Sequence, residues 1–122
     1  MLKEEELTKR IIGSAMKVHR ELGPGFKENV YHQAVAVMLR GDGLIVQTET
    51  PFIVKLGKVE VGRFRVDLIV NKKIIVEIKA IGGKMPRIFL AQVVSYLKAS
   101  GLEVGLLLNF GNPSLEFKRL AN

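Results

Sequence analysis

Asp67 and the triplet Glu77-Ile78-Lys79 are the residues of this chain whose types and spacing could do chemistry. Asp67 lies within the apolar run Arg63-Phe64-Arg65-Val66-Asp67-Leu68-Ile69-Val70, and Glu77 and Lys79 lie within the next, Ile74-Ile75-Val76-Glu77-Ile78-Lys79-Ala80. Asn71-Lys72-Lys73 separates the runs and reads as a tight turn, so the two form a β-hairpin. Alternate residues of a strand share a face, which sets Glu77 beside Lys79, and the hairpin brings Asp67 next to them across the ladder. Three ionisable groups among buried β-branched residues are costly unless compensated. Oxygen ligands from two carboxylates suit a hard divalent cation, magnesium or manganese, and the lysine is placed to act on a metal-activated water. That chemistry is phosphodiester hydrolysis. The same residues also suit a solvated strand face with cross-strand ion pairs. Against that stands the apolar density of Val66, Leu68, Ile69, Val70, Ile74, Ile75, Val76 and Ile78, which leaves little room for an exposed strand pair.

The elements that must position these groups can be read from periodicity. Leu7, Ile11, Ala15, Val18 and Leu22 recur at helical spacing from about Glu5 to Leu22, and Gly23-Pro24-Gly25 ends that helix. A second helix begins near Phe26 and runs to about Arg40, with Val30, Ala34, Val37 and Met38 as its buried side. Strands follow over about Leu44–Thr50, then Phe52–Leu56 turning at Gly57-Lys58 into Val59–Val70, then Lys73–Ala80. The loop Ile81-Gly82-Gly83-Lys84-Met85-Pro86 has paired glycines that suggest mobility. A helix from about Arg87 to Ser100, a short strand over Glu103–Asn109, a turn at Gly111-Asn112-Pro113 and a last strand over Leu115–Leu120 complete the chain. This order implies an α/β fold with a mixed sheet flanked by helices, and residues 1–122 read as one domain.

Other positions have weaker claims. Glu28 and Tyr31 share a face of the second helix; helix-dipole preference also explains an acid there, and Tyr31 also suits an interfacial core position. Gln92 and Tyr96 share one side of the later helix, where spacing alone favours a surface pair flanking an apolar stripe. His19 and His32 read as boundary residues, since two histidines without further spacing do not make a zinc site. Lys72, Lys73, Lys84, Arg87, Lys98, Lys118 and Arg119 could form a phosphate-facing rim, or an ordinary solvated surface.

The 122 residues include 48% hydrophobic and 25% charged, which is globular composition. A net charge of +7 favours a polyanionic partner, nucleic acid first, although many small domains are simply basic. No apolar run approaches a membrane span, and the acidic start Lys3-Glu4-Glu5-Glu6 is unlike a signal peptide. Absence of cysteine excludes disulfides and thiolate metal sites and fits a cytoplasmic address.

Taken in order, these segments resemble the GxxExxY proteins, a branch of the PD-(D/E)XK nuclease superfamily. Gly25-Phe26-Lys27-Glu28-Asn29-Val30-Tyr31 fits the naming signature, and Val61–Val70 looks like the second motif. Val76-Glu77-Ile78-Lys79-Ala80 is similar to the E-x-K strand, Gln92 to Tyr96 to a Q-x-x-x-Y motif, and Leu106–Gly111 with Leu115–Arg119 to the C-terminal end. Val66 stands where the superfamily name has proline, and Ile88-Phe89-Leu90-Ala91 is apolar where polar residues are expected.

The resemblance implies a restriction-endonuclease-like αβββαβ core and a magnesium- or manganese-dependent nuclease acting on DNA. It implies that Asp67, Glu77, the backbone carbonyl of Ile78 and Glu28 hold the metal, while Lys79 orients the nucleophilic water. Gln92 and Tyr96 then position the phosphate, with Tyr31, Lys84 and Arg87 also on the substrate side. Two alternatives stay open: a non-catalytic nucleic-acid-binding module, and an interaction subunit whose charge matches an acidic protein. A homodimer is expected, because one short groove offers little surface to grip both strands of a duplex. Its contact would come from the helix around Phe89, Leu90 and Val93, or from the last strand with Leu115 and Phe117.

Overall fold

A computed structural model describes residues 2–122. The elements run α1 (Glu5–Leu22), α2 (Glu28–Gly41), β1 (Val46–Leu56), β2 (Val59–Val70), β3 (Ile74–Lys79), α3 (Arg87–Ser100), β4 (Val104–Asn109) and β5 (Glu116–Ala121). The strands form one mixed sheet in the order β1-β2-β3-β4-β5. Only β3 and β4 are parallel, because α3 carries the chain back across the sheet between them. Strand β1 runs unbroken through Pro51, where the sequence suggested an interruption. The proline is tolerated because β1 is an edge strand, so its missing N–H removes no inner ladder bond.

Two apolar layers hold the sheet. On one face Ile11, Ala15 and Val18 of α1 and Val35 and Leu39 of α2 pack on Leu68, Val70, Ile74, Val76, Ile78, Leu106 and Leu108. On the other, Val93 and Leu97 of α3 pack on Val66, Ile69, Ile75 and Leu107. Within β3 the alternation is regular: even positions meet α1 and α2, odd positions face α3. The β2–β3 connection is a tight turn, with Asn71 and Lys72 both at positive φ and the Lys73 N–H donating to the Val70 carbonyl at 3.0 Å.

Strand β2 does not alternate regularly. Phe64 and Val66 belong to the α3 side, yet Leu68 and Val70, of the same parity, belong to the α1–α2 side. Its partner β1 does the same, with Val46 on the α1–α2 side and Phe52 on the α3 side. Both strands exchange faces at the level of Asp67, and Glu49, which lies opposite, has a left-handed φ of 51°. Pairing of β2 with β3 covers only Leu68–Val70, so the strands separate from Asp67 onward.

The loop after β3 is tied down rather than mobile. Buried Asn109 accepts from the Ile81 N–H at 2.9 Å and donates to the Ile81 carbonyl at 3.0 Å, and Asn112 makes the same two bonds to Gly83. Gly111 lies so close to this loop that a Cβ there would sit 2.2 Å from the Ile81 carbonyl oxygen. Backbone cannot yield as a flexible side chain can. Gly111→Ala is therefore expected to cost about 3 kcal/mol of stability, at the upper end of overpacking effects. Urea unfolding measures it, and a loss under ~0.5 kcal/mol would show that the contact relaxes freely.

Candidate active site

Where β2 and β3 separate, side chains replace the missing ladder bonds. The Asp67 N–H donates to Glu77 Oε2 at 2.7 Å, and the Ile78 N–H donates to Asp67 Oδ2 at 2.8 Å. Each carboxylate thus caps the opposite strand, leaving its second oxygen without a partner among the described hydrogen bonds. The N–H and C=O of one residue point to the same side of an extended strand. The Ile78 carbonyl therefore faces the same gap as its N–H. The hairpin brings Asp67 beside Glu77, as the spacing predicts, and the Ile78 backbone joins them at the gap.

The electrostatics are those of an undercompensated acid pair. Glu77 is 4% exposed, and burial together with the neighbouring Asp67 charge pushes its carboxyl up to about 8. Burial also raises Asp67, opposed by the hydrogen bond from Ile78. Glu28, at the first turn of α2, is raised by desolvation, with Lys79 opposing and Asp67 reinforcing the shift. Glu28 is thus within electrostatic reach of the pair. The resemblance implies that Glu28 joins Asp67 and Glu77 around a metal; among the described residues no three His, Cys, Asp or Glu side chains form a ready-made metal cluster. Glu28 sits on an exposed helix start, and no described hydrogen bond or ion pair holds its carboxylate.

Lys79 follows Glu77 on the α3 face, and its Nζ lies 4.5 Å from the centre of the Phe89 ring. Phe89, Gln92 and Tyr96 lie on successive turns of α3. Tyr96 is raised by burial and by the charges of Glu77 and Asp67. Its ring stacks on Phe64 at 4.2 Å, and Phe64 stacks on Phe52 at 5.4 Å. Gln92 is half-buried between Phe89 and Tyr96.

One expectation needs correction. Tyr31 does not face a substrate: it is fully buried, stacks on Phe110 at 4.7 Å, donates to the Gly23 carbonyl at 2.5 Å and accepts from the Phe26 N–H. It clamps the α1–α2 turn. Lys84 and Arg87 are exposed, and no described hydrogen bond or ion pair brings them to the acids. Of the seven basic residues, Lys73 pairs with Glu4 at 3.9 Å and Arg119 donates to the Lys3 carbonyl at 2.7 Å. Both of those are drawn to the N-terminal segment.

Two residues at the site carried no sequence signal as such. His32, read as a boundary residue, is buried under β2, and its Nε2 donates to the Asp67 carbonyl at 3.0 Å. That bond assigns the proton to Nε2, and Nδ1 lies 3.7 Å from Glu49. Phe89, read as an apolar departure and as a candidate dimer contact, is the platform under Lys79. His19, by contrast, is structural: it stacks on Phe110 and bonds the Asn112 carbonyl.

The fold is α/β of the restriction-endonuclease-like kind, with a mixed five-stranded sheet and three helices. The family model of the PD-(D/E)XK nuclease superfamily matches residues 5–120, and the chain belongs to that superfamily. Among solved structures, the crystal structure of SSO0001 is similar, with a TM-score of 0.62 and 22% identity. The likeness covers 77% of this chain and 49% of the other, so this chain spans about half the length of that protein. None of the curated proteins matches the sequence. No helix among the described residues is long and apolar enough to cross a membrane.

A carboxyl raised on folding binds more protons in the native state, so stability is present below the unfolded value and is lost as pH rises through the folded one. For Glu77 that window runs from 4.5 to about 8, and Asp67 and Glu28 shift in the same direction. The metal-free protein should lose stability across this range, and Glu77→Gln should flatten the decline. Urea midpoints at stepped pH measure it; an identical slope in the variant would remove Glu77 as the source.

Proposed function

We propose that this protein is a divalent-metal-dependent nuclease that hydrolyses DNA phosphodiester bonds. One observation carries the reading: Asp67 and Glu77 meet where β2 and β3 part, each with one oxygen lacking a described partner, and Lys79 stands on the same face. The donor set fits magnesium or manganese, because hard carboxylate and carbonyl oxygens converge beside a charge that burial leaves undercompensated. Asp67, Glu77 and the Ile78 carbonyl would hold the ion, with Glu28 joining directly or through water. When bound, it supplies Lewis-acid activation of water and neutralises phosphate charge.

The chain's own residues do the rest. Lys79, steadied on Phe89, orients the attacking water and offsets charge developing on the phosphate. Gln92 and Tyr96 donate hydrogen bonds to phosphate oxygens from the next turns of α3. Lys84 and Arg87, free at the rim, attract the backbone at longer range. His32 bonds the Asp67 carbonyl from beneath, so the carboxylate keeps its heading when the strands breathe. We assign the chain to the GxxExxY branch on Gly25, Glu28 and Tyr31, with the tyrosine as the structural member of the signature. Lack of cysteine supports action in the cytoplasm.

A second reading, a nucleic-acid-binding module without catalysis, is favoured by the absence of a preformed three-acid cluster among the described residues. The cleavage assay separates the two. With magnesium or manganese, single-stranded, duplex or branched DNA should be cut, and chelation should stop it. Asp67→Ala and Lys79→Ala should each reduce the rate by about a hundredfold or more. Metal-dependent cleavage that survives both substitutions would sink the assignment, and salt-sensitive DNA binding without metal uptake would favour the second reading.

We also propose a homodimer, which would present two sites to strands of opposite polarity. The contact lies elsewhere than Val93 or Leu115, since both pack into the chain's own core; Phe117 and Ile88 remain exposed. Light scattering decides it: a mass near 13.6 kDa rejects the dimer and about twice that supports it.

A further inference from the structure

Beyond the point where β3 ends its pairing, β1 and β2 continue together as a two-stranded arm to Leu56 and Val59. Pairing on this arm shifts between Val54 and Lys55: Val54 is opposite Gly62 and Lys55 opposite Glu60, so Val61 is an extra residue. Such a bulge bends the strand and redirects its side chains. Here Ile53, Val54 and Lys55 come to line one cleft of about 590 Å³, whose other wall is Ser95, Lys98 and Ala99 of α3.

The cleft differs from the others in its charge. Four further clefts each include at least one carboxylate: Glu4, Glu5 and Glu6 in the first, Glu4 and Glu103 in the second, Glu21 and Asp42 in the groove between α1 and α2, and Glu21 in the last. The arm–α3 cleft has none. It offers two ammonium groups and a hydroxyl above an apolar floor, and neither Lys55 nor Lys98 takes part in a described ion pair. That combination complements a chain of phosphates whose sugars and bases lie on apolar surface.

The cleft shares helix α3 with the candidate active site. Helix α3 carries Phe89, Gln92 and Tyr96 past the acids and then Ser95 and Lys98 into the cleft. The Tyr96–Phe64–Phe52 stack ties this part of α3 to the arm. From Phe89 to Lys98 the helix advances roughly 14 Å, which is about four nucleotide steps of a B-form strand.

We infer that the cleft between the β1–β2 arm and α3 binds the phosphodiester backbone of a nucleic acid strand leading away from the acid pair, with Lys55 and Lys98 as its phosphate contacts. The inference rests on the nuclease reading for what happens at the acid end, though not for the binding itself. Lys55 and Lys98 then fix where the strand leaves the protein, and the bulge at Val61 sets the angle of the arm over α3.

The test is fluorescence anisotropy of the full chain with a short labelled oligonucleotide, single-stranded and duplex, in chelator and across a salt titration. Lys55→Glu/Lys98→Glu should weaken binding about tenfold or more and reduce the salt slope by about 1.4 to 1.8, the loss of two phosphate contacts. Lys9→Glu/Lys17→Glu, an equal charge change on exposed residues of α1, should leave the slope near that of the unaltered chain. Equal effects from both variants, or none from the first, overturn the inference. Cleavage separates this result from the nuclease reading. If Asp67→Ala abolishes cutting while Lys55→Glu/Lys98→Glu binds and cuts normally, the cleft is rejected and the nuclease stands. If Lys55 and Lys98 govern binding but neither metal supports cutting, the nuclease is rejected and the cleft stands.

Discussion

The parting of β2 from β3 at Asp67 is the constraint on which the site depends. An intact ladder would use the Asp67 and Ile78 amides in strand-to-strand bonds and would leave no gap for acids. Because the strands separate, each amide instead takes the opposite carboxylate. Hydrogen bonds to charged acceptors contribute about 1.5–3 kcal/mol each, set against a desolvation cost of several kcal/mol per buried ion. The balance is close, and the elevated Glu77 carboxyl shows on which side it falls when no cation is present. On the proposed metal-dependent reading, a divalent ion would offset that cost.

The rest of the fold holds that gap open. Both strands of the β1–β2 hairpin change faces at the same level, with Glu49 taking the left-handed conformation opposite Asp67. His32 holds the Asp67 carbonyl from α2, so all three of that residue's hydrogen-bonding directions are specified: amide to Glu77, carbonyl to His32, carboxylate to Ile78. At the far end of β3, Asn109 and Asn112 pin the following loop with pairs of amide bonds. Short elements locked by buried polar groups keep catalytic side chains within narrow limits better than loops do.

Helix α3 serves two functions at once. Val93 and Leu97 belong to the core, while Phe89, Gln92 and Tyr96 form a stripe toward the acids and Ser95 and Lys98 reach the arm. A helix can do this because its residues advance by about 100° each, so adjacent turns present several faces in a fixed relation. The net charge of +7 is also unevenly used. Lys73 and Arg119 are spent on the N-terminal segment, whereas Lys55 and Lys98 take part in no described ion pair beside a cleft whose lining has no carboxylate.

Much of this was legible in the residues alone. Period-two alternation in Ile74–Lys79 put Glu77 and Lys79 on one face, the Asn71-Lys72-Lys73 turn set Asp67 across from them, and helical spacing gave α1 and α3 nearly to the residue. Those are local properties, because they depend on backbone period and turn geometry within a few residues. Tyr31 was placed on the substrate side because a signature records which residues recur, not whether they face substrate or core. The face exchange at Asp67, the histidine beneath it, the phenylalanine under Lys79 and the arm–α3 cleft were decided by tertiary structure. Each joins segments 10 to 45 residues apart, as Phe89 is to Lys79, His32 to Asp67, and Ile53 to Lys98. No local rule specifies which distant side chain fills a given place once two layers close on a sheet.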